Sequence, residues 1–150
     1  MIFEKEDDAR RVLEVLPKRF GKYGLTLHPE KTRLVAFRQP RKDEADDRTT
    51  PRPGTFDLLG FTHYWGLSRK GHWVVKRKTA TGRLNDALRR IAQWCRSNRH
   101  RPIVAQWKIL SSKLRGHYGY YGITGNMRSI ELFLHATERL WRKWLDRRSY

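Results

Sequence analysis

Two pairs of adjacent aspartates are the first residues to weigh for chemistry. Asp7-Asp8 could hold a divalent ion for nucleotidyl transfer, a reaction in which a metal stabilises charge on the transferring group. The same pair fits the first turn of a helix, where carboxylates complement the dipole, and the helical spacing that follows favours this second reading. Asp46-Asp47 stands in a mixed-charge run and reads as solvated. The chain has no His-x-Glu…Cys pattern, no glycine-rich phosphate loop and no nucleophile elbow. Its one cysteine, Cys95, excludes an internal disulfide, and with six scattered histidines it leaves no zinc-site spacing. The residues therefore single out no catalytic group and no metal ligand.

Binding chemistry is better supplied. Lys76-Arg77-Lys78 is a cluster that could contact several phosphates; the other reading is a solubilising charge run. Arg115-Gly116-His117-Tyr118-Gly119-Tyr120-Tyr121-Gly122 interleaves aromatics and arginine with glycine. Tyr120 and Tyr121 could stack on unpaired bases there, or fill the end of a helical bundle with their hydroxyls satisfied. Arg83, Arg89 and Arg90 flank an apolar helical stripe and add cations to the same half of the chain.

Charge distribution points the same way. Residues 1–50 carry 12 Lys and Arg against 10 Asp and Glu, whereas residues 51–150 carry 21 against 5. The second part also holds all six tryptophans. So local a charge repels itself, and a polyanionic partner such as RNA or DNA accounts for it. Because the same residues show helical apolar periodicity, the charge belongs to a folded surface rather than a basic tail. No apolar run approaches about 18 residues, so no membrane span is expected. Docking of the basic surface on anionic lipid is the lesser alternative, since the helices need their apolar faces for each other. The first eight residues do not read as a signal peptide, and the cysteine usage fits a reducing, cytoplasmic setting.

These residues need elements to position them. Asp7 and Asp8 open a helix with Val12, Leu13, Leu16 and Phe20 on one stripe; Pro17 is expected to kink or shorten it, and Gly21 and Gly24 to stop it. Leu25 and Leu27, then Arg33–Phe37 after a turn at His28–Lys31, read as a β-hairpin. Residues 38–54 read as a loop. A strand over Phe56–Trp65, interrupted at Gly60, pairs with a returning strand over His72–Lys78. Glycine there means a bulge or room for a nucleic-acid backbone, and Trp65 and Trp73 are candidates for a cross-strand pair.

Three helices follow. Leu84, Leu88, Ile91 and Cys95 mark the first, and Ile103, Trp107, Leu110 and Leu114 the second, with Pro102 at its first turn. Asn126 is placed to cap the third, whose apolar face runs from Ile130 to Trp144. By spacing, Trp94, Trp107, Trp141 and Trp144 are core. The expected class is α+β: one helix and two hairpins, then a three-helix bundle.

The combination resembles a known family. Gly24-Leu25-Thr26-Leu27-His28-Pro29-Glu30-Lys31-Thr32 is similar to the segment after the catalytic strand of group II intron reverse transcriptase/maturases. Phe56-Asp57-Leu58-Leu59-Gly60-Phe61-Thr62 resembles that family's last palm motif, the primer grip. Residues 79–148, with Leu114-Arg115-Gly116 and Tyr120-Tyr121, resemble its thumb, the maturase domain. The resemblance implies that residues 1–78 are the end of a palm and 79–150 a thumb. Leu59 and Gly60 match the primer-grip turn, and the basic helices match the RNA-contacting surface.

The family's Tyr-x-Asp-Asp strand is absent. The resemblance places it just before Met1, with Met1–Glu4 as its tail, and so implies a truncated chain without the carboxylates that hold Mg2+ in the intact enzyme. The implied function is binding of group II intron RNA to assist splicing, with primer–template gripped in the intact protein. The alternatives are a polymerase active only with a separate fingers–palm piece, a nonfunctional remnant, or a general RNA- or DNA-binding module.

Overall fold

The structure is a computed structural model that describes residues 1–29, 32–40 and 54–148. It divides into two units, Met1–Arg38 and Gln39–Tyr150. Asp46-Asp47 and most of the expected 38–54 loop lie outside the described residues.

In the first unit a single helix, α1, spans Glu6–Gly21. Glu6, Asp7 and Asp8 occupy its first turn and Lys18 and Arg19 its last, so charge of both signs complements the dipole. Arg10 pairs with Glu6 across one turn, with both side chains largely exposed, where such a pair contributes little. Ala9 is buried and Val12, Leu13, Leu16 and Phe20 are half-buried on one stripe. Helix α1 runs through Pro17 rather than stopping at it. It ends where the Leu25 amide returns to the Phe20 carbonyl across Gly24, whose φ is +69°, a left-handed geometry that glycine adopts freely.

The expected hairpin over 25–37 is not formed: the described residues there carry no strand. Leu25 and Leu34 are exposed while Leu27, Val35 and Phe37 are half-buried, and a lone two-stranded hairpin is marginal in water.

The second unit holds a three-stranded antiparallel meander and a three-helix bundle. Strands β1 (Phe56–Leu58), β2 (Phe61–Leu67) and β3 (Trp73–Thr79) lie in that order. The interruption at Gly60 is a hairpin turn, not a bulge. Leu58 pairs with Phe61, leaving Leu59 and Gly60 as a two-residue loop with φ of +50° and +81°. Positive φ at both central residues matches the right-handed twist of the flanking strands. Between β2 and β3 the Ser68 amide donates to the His72 carbonyl and the His72 amide donates to Ser68 Oγ.

Register sorts the side chains by face. Phe61, His63, Trp65 and Leu67 oppose Thr79, Arg77, Val75 and Trp73, whereas Thr62, Tyr64 and Gly66 oppose Lys78, Lys76 and Val74. Trp65 and Trp73 therefore share a face but stand diagonally rather than directly opposite.

Helices α2 (Thr81–Asn98), α3 (Ile103–Tyr121) and α4 (Met127–Leu145) form the bundle, so the α+β class holds. Ile91, Cys95, Leu110 and Phe133 make its core, with Leu84, Leu88, Trp94, Leu114, Leu140, Trp141 and Trp144 packed around them. Each large side chain removed from water contributes roughly 2–3 kcal/mol. Burial pushes the Cys95 thiol up to about 11, so it packs as a small apolar group rather than serving as a nucleophile.

The stripe on α3 differs from the expectation. Gln106 and Leu110 are buried, while Ile103 and Trp107 are exposed. The Gln106 amide donates to the Arg99 and Arg101 carbonyls at the end of α2, and its oxygen accepts from Trp141 Nε1 at 2.9 Å. Both carbonyls lie just past the end of α2, and the Arg101 carbonyl also accepts from the Arg148 guanidinium; the buried amide is thus fully engaged.

Candidate nucleic-acid interface

Arg115–Tyr121 does not follow the second bundle helix but continues it as the end of α3. The helix carries Tyr120 and Tyr121 to the hairpin turn of the sheet. Tyr120 Oη donates to the Leu59 carbonyl at 2.7 Å. Tyr121 leans on Gly60, where a Cβ would stand 2.9 Å from its hydroxyl oxygen. Both rings pack on Phe61, at 5.8 and 5.3 Å between centroids. Among the roles considered for them, the tyrosines thus serve first as a clamp on the turn. The close approach that Gly60 permits is to Tyr121 of the same chain.

A second connection lies at the other end of this turn. Asn126 precedes α4 but makes no side-chain cap to it; its fully buried amide instead bonds Thr79 and the Tyr121 carbonyl. The Ala80 amide also donates to the Gly60 carbonyl. The Leu59-Gly60 turn is therefore held by both the end of β3 and the end of α3.

Next to this clamp lies an apolar, poorly satisfied site. The His117 ring stacks on Phe133 at 3.8 Å and sits 4.5 Å from Tyr121. Its Nε2 and the Tyr118 hydroxyl are buried without a hydrogen-bond partner. Desolvation lowers the His117 pKa from its ordinary value and raises that of Tyr118, with Glu138 adding to the latter. The neutral forms are favoured at both.

The cations fall into separate sets. Strand pleating divides the Lys76-Arg77-Lys78 cluster: Lys76 and Lys78 share a face with Tyr64, and Arg77 points to the opposite face beside His63. Period-two alternation makes this division unavoidable. On α2, exposed Arg83 and Arg90 stand two turns apart on one side, about 10 Å along the axis. Arg89 faces another way, pairing with Asp86 at 2.9 Å. It lines a shallow groove between α2 and α4, whose floor is Leu88, Ala92, Ala136 and Leu140 and whose rim adds Arg139 and Lys143. Arg115 is exposed on α3.

Arg139 escaped the sequence reading, although its i, i+4 spacing to Lys143 puts both on one side of α4. Other cations lie over rings, Arg96 and Arg147 at Trp144 and Lys113 at Trp94, where the aromatic face attracts positive charge.

Asp7 and Asp8 remain on α1, and among the described residues no three His, Cys, Asp or Glu side chains gather as a metal site. No helix among the described residues is long and apolar enough to cross a membrane. Comparison of the chain with models of protein families, with curated proteins and with solved structures finds no match.

Proposed function

We propose that this chain binds RNA as the palm-end and thumb portion of a group II intron reverse transcriptase/maturase, contacting intron RNA to assist its splicing. The observation that carries this reading is the surplus of exposed cation on the bundle. The ion pairs within the described residues include Arg10 with Glu6 and Arg89 with Asp86. Arg83, Arg90 and Arg115 are exposed and, among the described residues, form no ion pair. Such charge destabilises a compact state through self-repulsion and is rewarded when phosphates release their counterions. The Leu59-Gly60 turn supports the family reading, since the helical module grips the residues that resemble the primer grip. In the intact enzyme the same surface would hold primer and template. The carboxylates that bind Mg2+ for polymerisation belong, by the resemblance, to a Tyr-x-Asp-Asp strand that this sequence does not contain.

Gel-shift binding to a group II intron RNA across a salt series tests this. Affinity should fall steeply with salt. Replacing Arg83 and Arg90 with Gln should reduce the slope by roughly 1.4–1.8, or 0.7–0.9 per lost phosphate contact. A slope unchanged by that double substitution removes these arginines from the interface. Equal affinity for an unrelated structured RNA replaces the maturase reading with a general basic RNA-binding module.

A further inference from the structure

We propose that the sheet face bearing Tyr64, Lys76 and Lys78 is a platform for an unpaired nucleic-acid strand. This deepens the RNA-binding reading above, on which it rests, by naming the form of nucleic acid taken and the surface that takes it.

Four observations meet on this face. First, β3 sets Lys76 and Lys78 two residues apart on the same side, about 7 Å along the strand. That step suits neighbouring phosphates of an extended strand.

Second, both lysines lean the same way across β2. Lys78, opposite Thr62, reaches the Tyr64 ring with Nζ 5.4 Å from its centroid. Lys76, opposite Tyr64, lies across Gly66, where a Cβ would come within 2.9 Å of its Cδ. Glycine at 66 is thereby explained: it leaves space for the lysine stem to lie flat on the sheet. Lys76 is half-buried and Lys78 exposed, and a lysine whose stem is covered still keeps its ammonium in water.

Third, Tyr64 stands opposite Lys76 in the register, with the Lys78 ammonium over its ring. Ammonium contact at 5.4 Å is near the outer limit of about 6 Å for attraction to a ring, so a phosphate can draw Lys78 off and leave the ring to a base. Stacking of this kind tolerates any base.

Fourth, the acid on this face is already engaged. Asp57, at the β1 edge, accepts a 2.5 Å hydrogen bond from the Thr62 hydroxyl. Among the described residues neither Lys76 nor Lys78 has an ion pair. The opposite face is occupied differently: Phe61 is committed to Tyr120 and Tyr121, and Phe56 stacks on His63 at 4.9 Å.

An unpaired strand fits better than a duplex, because a base must leave its stack to lie on Tyr64. Charge complementarity alone would also admit an acidic peptide, but an aromatic ring on the same face as the two lysines favours a base with its phosphates.

The test is fluorescence anisotropy of a labelled, unstructured oligouridine with the whole chain. A duplex of equal length and a polyglutamate peptide serve as competitors. Tyr64→Leu should weaken oligouridine binding at least about fivefold, and Tyr64→Phe should restore it. Replacing Lys76 and Lys78 with Gln should lower the salt slope by roughly 1.4. Arg69→Gln, which removes one charge from the β2–β3 turn, should do less than either lysine change. A thermal melt confirms that each variant folds; if Tyr64→Leu does not, the lysine pair and Arg69→Gln decide the matter.

Oligouridine binding that ignores both Tyr64→Leu and the lysine changes overturns the platform. So does displacement by duplex or polyglutamate as effective as by oligouridine. The two readings fail separately. Loss of the platform with salt-dependent intron RNA binding intact leaves the proposed function standing. A Tyr64 effect without preference for intron RNA removes the maturase reading and keeps the platform.

Discussion

Thr79 and Asn126 exchange two hydrogen bonds across 47 residues of sequence: the Thr79 amide donates to Asn126 Oδ1 at 2.9 Å, and Asn126 Nδ2 donates to Thr79 Oγ1 at 2.8 Å. Asn126 Nδ2 also donates to the Tyr121 carbonyl at 2.8 Å. One buried amide thus ties the end of β3 to the junction of α3 and α4. Asn126→Ala leaves the Thr79 amide and hydroxyl oxygen without this partner, at about 1–3 kcal/mol for each buried group so stranded, while the Tyr121 carbonyl keeps the Ile123 amide. A loss of about 3 kcal/mol in urea denaturation is expected. Asn126→Asp keeps the acceptor but loses both donors and buries a charge, so it should not rescue. A loss below about 0.5 kcal/mol for the alanine variant would show that the sheet and bundle are joined elsewhere.

Leu59 occupies a left-handed conformation, φ +50°, with its side chain 76% exposed. That geometry costs a branched residue about 1–2 kcal/mol, and so exposed a side chain recovers little of it by burial. Leu59→Asn supplies the residue best suited to the first position of this turn and should raise stability by about 1 kcal/mol, read as an increase in Tm. If the leucine is retained for RNA contact, as its resemblance to a primer-grip residue implies, the same variant should bind intron RNA more weakly. Gly60→Ala should act in the opposite sense on stability, because φ is +81° there and a Cβ meets the Tyr121 hydroxyl at 2.9 Å.

Local pattern made the helices and the second hairpin legible. The i, i+4, i+7 recurrence of Leu84, Leu88 and Ile91 needs no tertiary information, and neither does the charge bias of α1. What escaped depends on distant chain. Asn126 reads as a cap from its position before α4, but its partners are set by where β3 ends. Arg139 joins Arg89 only because α2 and α4 pack together. Alternation over 25–37 suggests a hairpin, but two strands alone do not make a stable one. The division of Lys76, Arg77 and Lys78, by contrast, follows from strand period alone and could have been read directly.

Trp107 and Trp141 should respond differently to truncation, although both sit on apolar helical stripes. Trp107 is 56% exposed. Trp141 packs against the core and donates its indole N–H to Gln106. Trp141→Ala should cost about 3–5 kcal/mol, the range for deleting a buried aromatic, and it also strands the Gln106 oxygen. Trp107→Ala should cost under about 1 kcal/mol. Equal losses in chemical denaturation would mean that Trp107 contributes to the bundle core as much as Trp141 does.

Stability should fall in mild acid, and His117 supplies the reason. Its ring is enclosed by Phe133 and Tyr121, and burial lowers its pKa below the ordinary 6.5. The unfolded chain therefore takes up a proton at a pH where the folded chain does not. By linkage, stability is complete above the unfolded pKa. It declines as pH falls below 6.5 and reaches its full loss once pH passes below the folded value. Thermal melts at about pH 7.5 and about pH 5.5 bracket the upper part of that window, and Tm should be lower at the acid end. His117→Phe preserves the stacked ring and removes the titration, so it should reduce the difference between the two melts. If the phenylalanine variant loses as much stability in acid as the parent, protonation elsewhere drives the effect and the enclosure of His117 is not its cause.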